Sequence, residues 1–285
     1  MTRKNIVSFS GGRTSAYLVN LMEKKIKTGE IDNVHYVFMD TGAEHPKTYD
    51  FIRNCVSHFG IDLICLRALM SKEAGVGVSY KKVSLDEIGN DLQPWRDMLA
   101  CYSTPYIKGP MCTDRMKTTP YRKYCNDTYG KNNYDTWLGI RIDEGQRLKP
   151  RKGYRYLAEI SPMDKVDVKG WWKTQPFDLG IDEWLGNCVF CIKKGNNKIA
   201  LAAKDEPELA NAFQEMLETS PIRIIESRED APLIMYRGRN TFKSVVNSFA
   251  EFTKDNIIAQ FRGGSGCTDS CEVFGCQIDM FESKE

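Results

Sequence analysis

Residues 5–15 read NIVSFSGGRTS, and their reading decides the fold. Asn5 to Phe9 is a β-branched apolar run, SGGRTS interrupts it, and Ala16 to Ile26 (AYLVNLMEKKI) resumes with apolar residues at helical spacing. The order is strand, glycine turn, helix. Backbone N–H groups and the positive end of the helix dipole then converge beyond the strand, where an anion is favoured. Gly11 and Gly12 let the backbone close on such a ligand, and Ser10, Thr14 and Ser15 add hydroxyl donors beside Arg13. Neither G-x-x-x-x-G-K-[ST] nor G-x-G-x-x-G is present, so this is not a Walker A loop or a dinucleotide fingerprint. A turn that merely joins two elements is the plain alternative.

Outward from the turn the same alternation continues. Val34 to Met39 (VHYVFM) reads as a buried strand, Pro46 opens a helix through Phe59, and Ile61 to Leu66 (IDLICL) reads as a third strand. Strands alternating with helices at this spacing imply right-handed crossovers and a parallel sheet covered on both faces. From Arg67 to Pro110 periodicity fades among glycines and prolines, and the stretch reads as an insertion or mobile segment on the substrate side. Further on, the pattern predicts a helix over 119–129, strands over 134–139 and 157–160, and helices over 166–173 and 198–218.

Composition narrows the class. The 285 residues are 41% apolar and 27% charged with a formal charge of +2, the balance of an ordinary folded globule. No apolar run is long enough to span a bilayer, and near-neutrality argues against a dedicated nucleic-acid coat. MTRKNIVSFSGG carries no secretory signal, which places the expected location in the cytoplasm. Ten cysteines in that compartment read as metal ligands or redox thiols where they cluster.

Several motifs carry a family resemblance. SFSGGRTS is similar to the SGG-x-x-S signature of PP-loop ATP pyrophosphatases, and residues 37–46, VFMDTGAEHP, resemble the F-x-D-T-G-x-E-x-P stretch of phosphoadenosine phosphosulfate (PAPS) reductase-like proteins. CTDRMK at 112–117 with Pro120 resembles the family's C-T-x-x-x-K-x-x-P segment, and WLGIRIDE at 137–144 its G-I-R-x-D-E segment. The resemblance implies an α/β, adenine nucleotide α-hydrolase-like fold. An open parallel sheet with helices on both faces would occupy residues 1–195, with the insertion at about 67–110. A helical, cysteine-containing C-terminal extension would occupy 196–285. It further implies that ATP or a PAPS- or APS-type nucleotide binds Ser10, Gly11, Gly12, Arg13, Thr14, Ser15, Asp40, Thr41, Gly42, Glu44, Gly139 and Arg141. Lys117, Arg141 and Asp40 would act in catalysis, Asp40 against the ribose or a magnesium ion. The chain lacks the E-C-G-L-H segment of assimilatory PAPS reductases, and QPFDL (175–179) followed by GNCVFC (186–191) looks most like a phage-type group, whose members would work in the host cytoplasm.

Cys188 and Cys191 form a C-x-x-C pair that can bring two thiolates to one centre. Cys112 and Cys267 complete the expected metal-ligand set, for which the resemblance implies a [4Fe-4S] cluster and zinc is the alternative. Cys55, Cys65 and Cys125 read as buried apolar residues, and Trp171 and Trp172 as core. The basic run at 147–156 (RLKPRKGYRY) reads as a solvated loop, or as a contact for a tRNA or DNA acceptor with bases stacked on Tyr154 or Tyr156. The expected activity is pyrophosphate release coupled to sulfur transfer from a thiol or sulfur-donor protein, or sulfonucleotide reduction. The rival is a non-catalytic nucleotide or nucleic-acid binding protein with structural zinc.

Overall fold

A computed structural model describes residues 3–73 and 76–260. The glycine turn lies where the sequence places it, between β1 (Lys4–Ser8) and α1 (Arg13–Lys27). β2 (Val34–Met39), α2 (Pro46–Phe59), β3 (Leu63–Met70) and β4 (Val78–Val83) follow, then α3 (Gln93–Tyr102), α4 (Met111–Thr113), a π turn (Asp114–Thr118) and α5 (Thr119–Tyr129). β5 (Tyr134–Leu138), β6 (Tyr154–Tyr156) and α6 (Lys165–Trp172) complete the sheet region, and α7 (Asn196–Asp205), α8 (Pro207–Thr219), α9 (Phe242–Ser248) and α10 (Lys254–Gln260) end the described chain.

Among the described residues the sheet has the order β4-β3-β2-β1-β5-β6. Every pairing is parallel except β3 with β4, and β1 is central, with Val7 opposite Tyr36 on one side and Trp137 on the other. The chain winds outward from β1 through β2 to β3, then resumes on the opposite flank at β5. The glycine turn therefore sits at a topological switch point, where open α/β sheets leave a crevice beyond the strand ends.

Side chains alternate across the sheet with period two, and both sets are buried. Val7, Tyr36, Phe38 and Trp137 pack under α1, α2 and Trp172 of α6, whereas Ile6, Val37, Met39 and Leu138 pack against Tyr121, Tyr124 and Cys125 of α5. Burial on two faces explains why the strands read as nearly unbroken apolar runs. A further cluster joins Trp95, Met98 and Leu99 of α3 to residues 185–192 and to Phe213 and Phe242. Apolar packing thus ties segments on both sides of residue 195 together.

Three stretches differ from the sequence expectation. Residues 67–110 hold the end of β3, the edge strand β4 and the buried helix α3. In place of a strand over 157–160, the strand is Tyr154–Tyr156, started by Gly153 at φ 79°, and Leu157–Glu159 is a 3-10 turn. The helix expected over 198–218 is two helices, broken at Glu206 because Pro207 cannot donate an N–H to a helix interior. The basic run folds on itself: Tyr156 is buried with its hydroxyl donating to the Lys149 carbonyl, and Arg151 lies over Tyr154. Tyr156 is thereby removed as a stacking platform.

Candidate functional site

Gly11 stands at φ 76°, and a Cβ there would come within 2.9 Å of Ile52 and Thr48. Only glycine lets the turn lie this close to α2. Ser15 Oγ accepts from the Ser10 N–H at 3.1 Å, donates to the Gly12 carbonyl at 3.0 Å and lies 2.9 Å from Ser10 Oγ. Its proton is thus used inside the turn. Among the described residues no side chain caps α1 at Gly12, a helix start whose first-turn amides favour an anion. Arg141, buried beside Thr14, donates Nη1 to Thr14 Oγ1 at 3.1 Å and engages Asp143 through Nε and Nη2 at 2.9 and 3.1 Å. Gly139 is buried just after β5. Arg13 donates to both oxygens of Asp178, and burial, which alone would raise that carboxyl, is outweighed by the pair, which holds it below the usual range. Arg13, Thr14, Arg141 and Asp178 line a cleft of about 340 Å³ with Lys165 and Lys169 of α6 and Lys173 just after it. That volume lies at the small end for ligand clefts.

Beyond β2 the D-T-G-x-E turn is tightly organised. Asp40 is 0% exposed; its Oδ2 accepts from Arg67 Nε at 2.7 Å, and its Oδ1 accepts from the Gly42 N–H and the Tyr49 hydroxyl, each at 2.9 Å. Both oxygens are occupied by protein donors, which makes Asp40 an internal brace. Burial and then the neighbouring Glu44 charge push its carboxyl up to about 6, against the opposing pull of Arg67. Thr41 Oγ1 donates to Glu44 Oε1 at 2.8 Å, Tyr49 lies 3.0 Å from Glu44 Oε2, and Lys117 Nζ lies 3.6 Å from Glu44 Oε1. Gly42 is required at φ 67°, where a Cβ would meet Asp91 at 2.7 Å. His45, buried beside Glu44, caps α2 through Nδ1 and meets Glu206 through Nε2 at 2.9 Å.

The thiol turn joins this structure directly. Glu44 and Cys188 form an antiparallel bridge, the Val189 N–H donates to the Ala43 carbonyl at 2.9 Å, and Cys188 Sγ lies 3.3 Å from Thr41 Oγ1. Burial, then Glu44, pushes the Cys188 thiol up to about 12, while Lys117 pulls it down. Cys112, Cys188, Cys191 and Lys117 line one small cavity of about 20 Å³. The π turn carries Lys117 into it, in keeping with the habit of such turns to occur at functional sites. Cys267 lies outside the described residues. Among the described residues no three His, Cys, Asp or Glu side chains are grouped to hold an ion. Three sulfurs therefore share a cavity without enclosing a metal as they stand.

Lys194, 5% exposed, donates Nζ to the Trp184 and Val189 carbonyls at 2.5 and 2.8 Å, and Tyr236 donates its hydroxyl to the Phe190 carbonyl at 2.8 Å. These clamps hold the backbone between the two cysteines. Lys194→Met strands two buried acceptors, so an unfolding free energy lower by about 2–3 kcal/mol is expected, with faster disulfide-reagent labelling of Cys188. Unchanged labelling would show that the clamp does not hold the turn.

A model of the phosphoadenosine phosphosulfate reductase domain matches residues 4–155, the stretch that carries the glycine turn, the D-T-G-x-E turn, Lys117 and Arg141. The chain belongs to the PAPS reductase family. A relative in Escherichia phage lambda, described as an uncharacterized nin region protein ORF290, is 47% identical over 289 residues, covering 99% of each chain. This phage homologue fits the phage-type membership expected of the PAPS reductase family motifs. Among the described residues no helix is long and apolar enough to cross a membrane.

Arg67, Tyr49, Lys194 and Tyr236 were not marked by the sequence motifs. Arg67 alone left a signal, as the lone charge inside LICLRALM.

Proposed function

We propose that this chain binds an adenine nucleotide at the glycine turn and uses the adjoining thiols to reduce or transfer a sulfur group. The observation that carries the reading is the bridge between Glu44 and Cys188, which sets the nucleotide motif's Thr41 and Glu44 against the C-x-x-C turn. Two motifs that lie 144 residues apart in sequence become one site. Turn amides, Arg13 and Arg141 would hold phosphate or sulfate oxygens, and Lys117 would offset charge that develops towards the thiols.

Burial favours the neutral thiol at Cys188, whereas Cys112 and Cys191 are half-buried, so we assign the attacking thiolate to one of them. In reduction, that thiolate attacks the sulfonate sulfur, the sulfur–oxygen bond to the nucleotide phosphate breaks, and the nucleotide leaves with the electron pair. A second thiolate then attacks the first cysteine sulfur. A disulfide forms, sulfite leaves, and the two thiols supply both electrons; an external dithiol restores them. In adenylation, an acceptor oxygen, as on a tRNA or DNA base, attacks the α-phosphate and pyrophosphate leaves, after which a sulfur donor displaces AMP. A [4Fe-4S] cluster or zinc held by Cys112, Cys188, Cys191 and Cys267 would take up these same sulfurs, so it would accompany the adenylation route and not the disulfide-forming one.

The test incubates purified protein with adenylyl sulfate nucleotides plus a dithiol and, separately, with ATP, and quantifies sulfite and pyrophosphate. Sulfite assigns reduction and pyrophosphate assigns adenylation. Nucleotide binding with neither product overturns the enzymatic reading. The visible spectrum and metal content of anaerobically purified protein decide between iron–sulfur, zinc and bare thiols.

A further inference from the structure

The Arg13–Asp178 pair lies at the mouth of the nucleotide cleft, and its chemistry is that of a bound anion. Arg13 is the first residue of α1, next in sequence to Gly12 of the glycine turn, and its side chain lines the same cleft as Thr14 and Arg141. Asp178 engages it through Nε and Nη2 at 2.6 and 2.8 Å, the two-pronged geometry that a phosphate would also adopt. Both residues line the cleft, and neither is locked away: the side chains are 21% and 36% exposed.

The carboxylate is also placed so that it can let go. Its other protein contacts are local, with the Leu179 N–H at 2.7 Å and with the Gly180 backbone N–H. On either side the chain is anchored: Phe177 packs against Phe51, His58 and Trp172, and Leu179 is buried. Rotation of the Asp178 side chain, giving up these two local amides, would free Arg13 while Phe177 and Leu179 stay anchored. Lys169 of α6 and Lys173 just after it, exposed in the same cleft, form no ion pair among the described residues, and with Arg13, Arg141 and Lys165 they outnumber the cleft carboxylates Asp178, Asp182 and Glu183.

We propose that Asp178 is an internal anion that occupies Arg13 in place of a ligand phosphate, so that nucleotide entry exchanges one ion pair for another and Asp178 lowers the cleft's affinity for anions. The proposal rests on the glycine turn being a phosphate cradle. It differs from the ordinary view of such a pair, in which the carboxylate orients the arginine for the ligand, and the two have opposite signs in experiment.

Titration calorimetry with pyrophosphate and with ATP, at one fixed ionic strength, compares the wild type with Asp178→Asn, Arg13→Gln and the double variant. Asp178→Asn is expected to bind both probes about three- to tenfold more tightly. In the Arg13→Gln background the same change is expected to alter affinity less than twofold, because the competition has been removed. Weaker or unchanged binding by Asp178→Asn, with the wild type binding normally, overturns the proposal and leaves the cradle standing. Failure of all four proteins to bind either probe overturns the cradle and the proposal together.

Discussion

Gly11→Ala is expected to abolish ATP binding and to lower the unfolding free energy by about 2–5 kcal/mol. Two costs add. A non-glycine residue in the left-handed region costs about 1–2 kcal/mol, and Gly11 sits at φ 76°. The new methyl also overpacks a tight contact, 2.9 Å from both Ile52 Cδ1 and Thr48 Cγ2 of α2, a further ~1–3 kcal/mol. Relief requires α2 to retreat or the turn to swing out, and either motion disperses the amides that would converge on phosphate. Gly12→Ala is the control. Gly12 has φ −95° at the helix cap, and a Cβ there meets only Ser10 Oγ at 3.7 Å, so folding should hold within about 1 kcal/mol. Calorimetric titration with ATP alongside urea unfolding separates the two effects. A Gly11→Ala protein that still binds ATP like the wild type would refute the cradle.

Much of the sheet was legible because each strand is apolar on both faces and each early helix opens on a clear signal. Pro46 at the first position of α2 and Gly60 after its end are such marks. Where the chain uses less usual punctuation, the reading stopped. α3 is bounded by Leu92 at φ 57° and Ser103 at φ 73°, so the left-handed turns that delimit it carry no glycine. β4 is an edge strand with Lys81 and Lys82 exposed, which protects the edge and removes the apolar pattern that would reveal it. Pro207 marks the break between α7 and α8, but the periodicity on either side of it made the two read as one helix. At the site, the motifs mark the D-T-G-x-E turn and the C-x-x-C pair separately, and their joining at Glu44 and Cys188 is a long-range pairing that no local pattern encodes. The same holds for Lys194 and Tyr236, whose role depends on carbonyls they reach only in the folded chain.

Arg67→Met should cost about 3–5 kcal/mol of stability near pH 8 and much less at pH 5. Arg67 is buried and faces Asp40 at 2.6 Å, and it also holds Asp91 at 2.6 Å and the Glu87 carbonyl at 3.3 Å. Without it the Asp40 carboxylate is left in the interior with no cation. The sign follows from the direction of the Asp40 shift. Its folded value is raised from 3.8 to about 6, so the folded state holds this proton more tightly than the unfolded chain. Its contribution is therefore fully present below about pH 4 and is lost as pH rises through about 6. Removing Arg67, which pulls the value down, extends that loss to higher pH, so the gap between variant and wild type widens above pH 6. Unfolding curves for both proteins at pH 5 and pH 8 check this, and Arg67→Lys, which keeps the charge without the fork, should recover part of the loss at pH 8. Because Asp40 fixes the Gly42 amide and the Tyr49 hydroxyl, and Tyr49 in turn touches Glu44, the variant should also loosen the contact between the D-T-G-x-E turn and Cys188. An equal loss of stability at the two pH values would mean that Asp40 is not ionised against Arg67, and the brace beneath the site would have to be sought in packing alone.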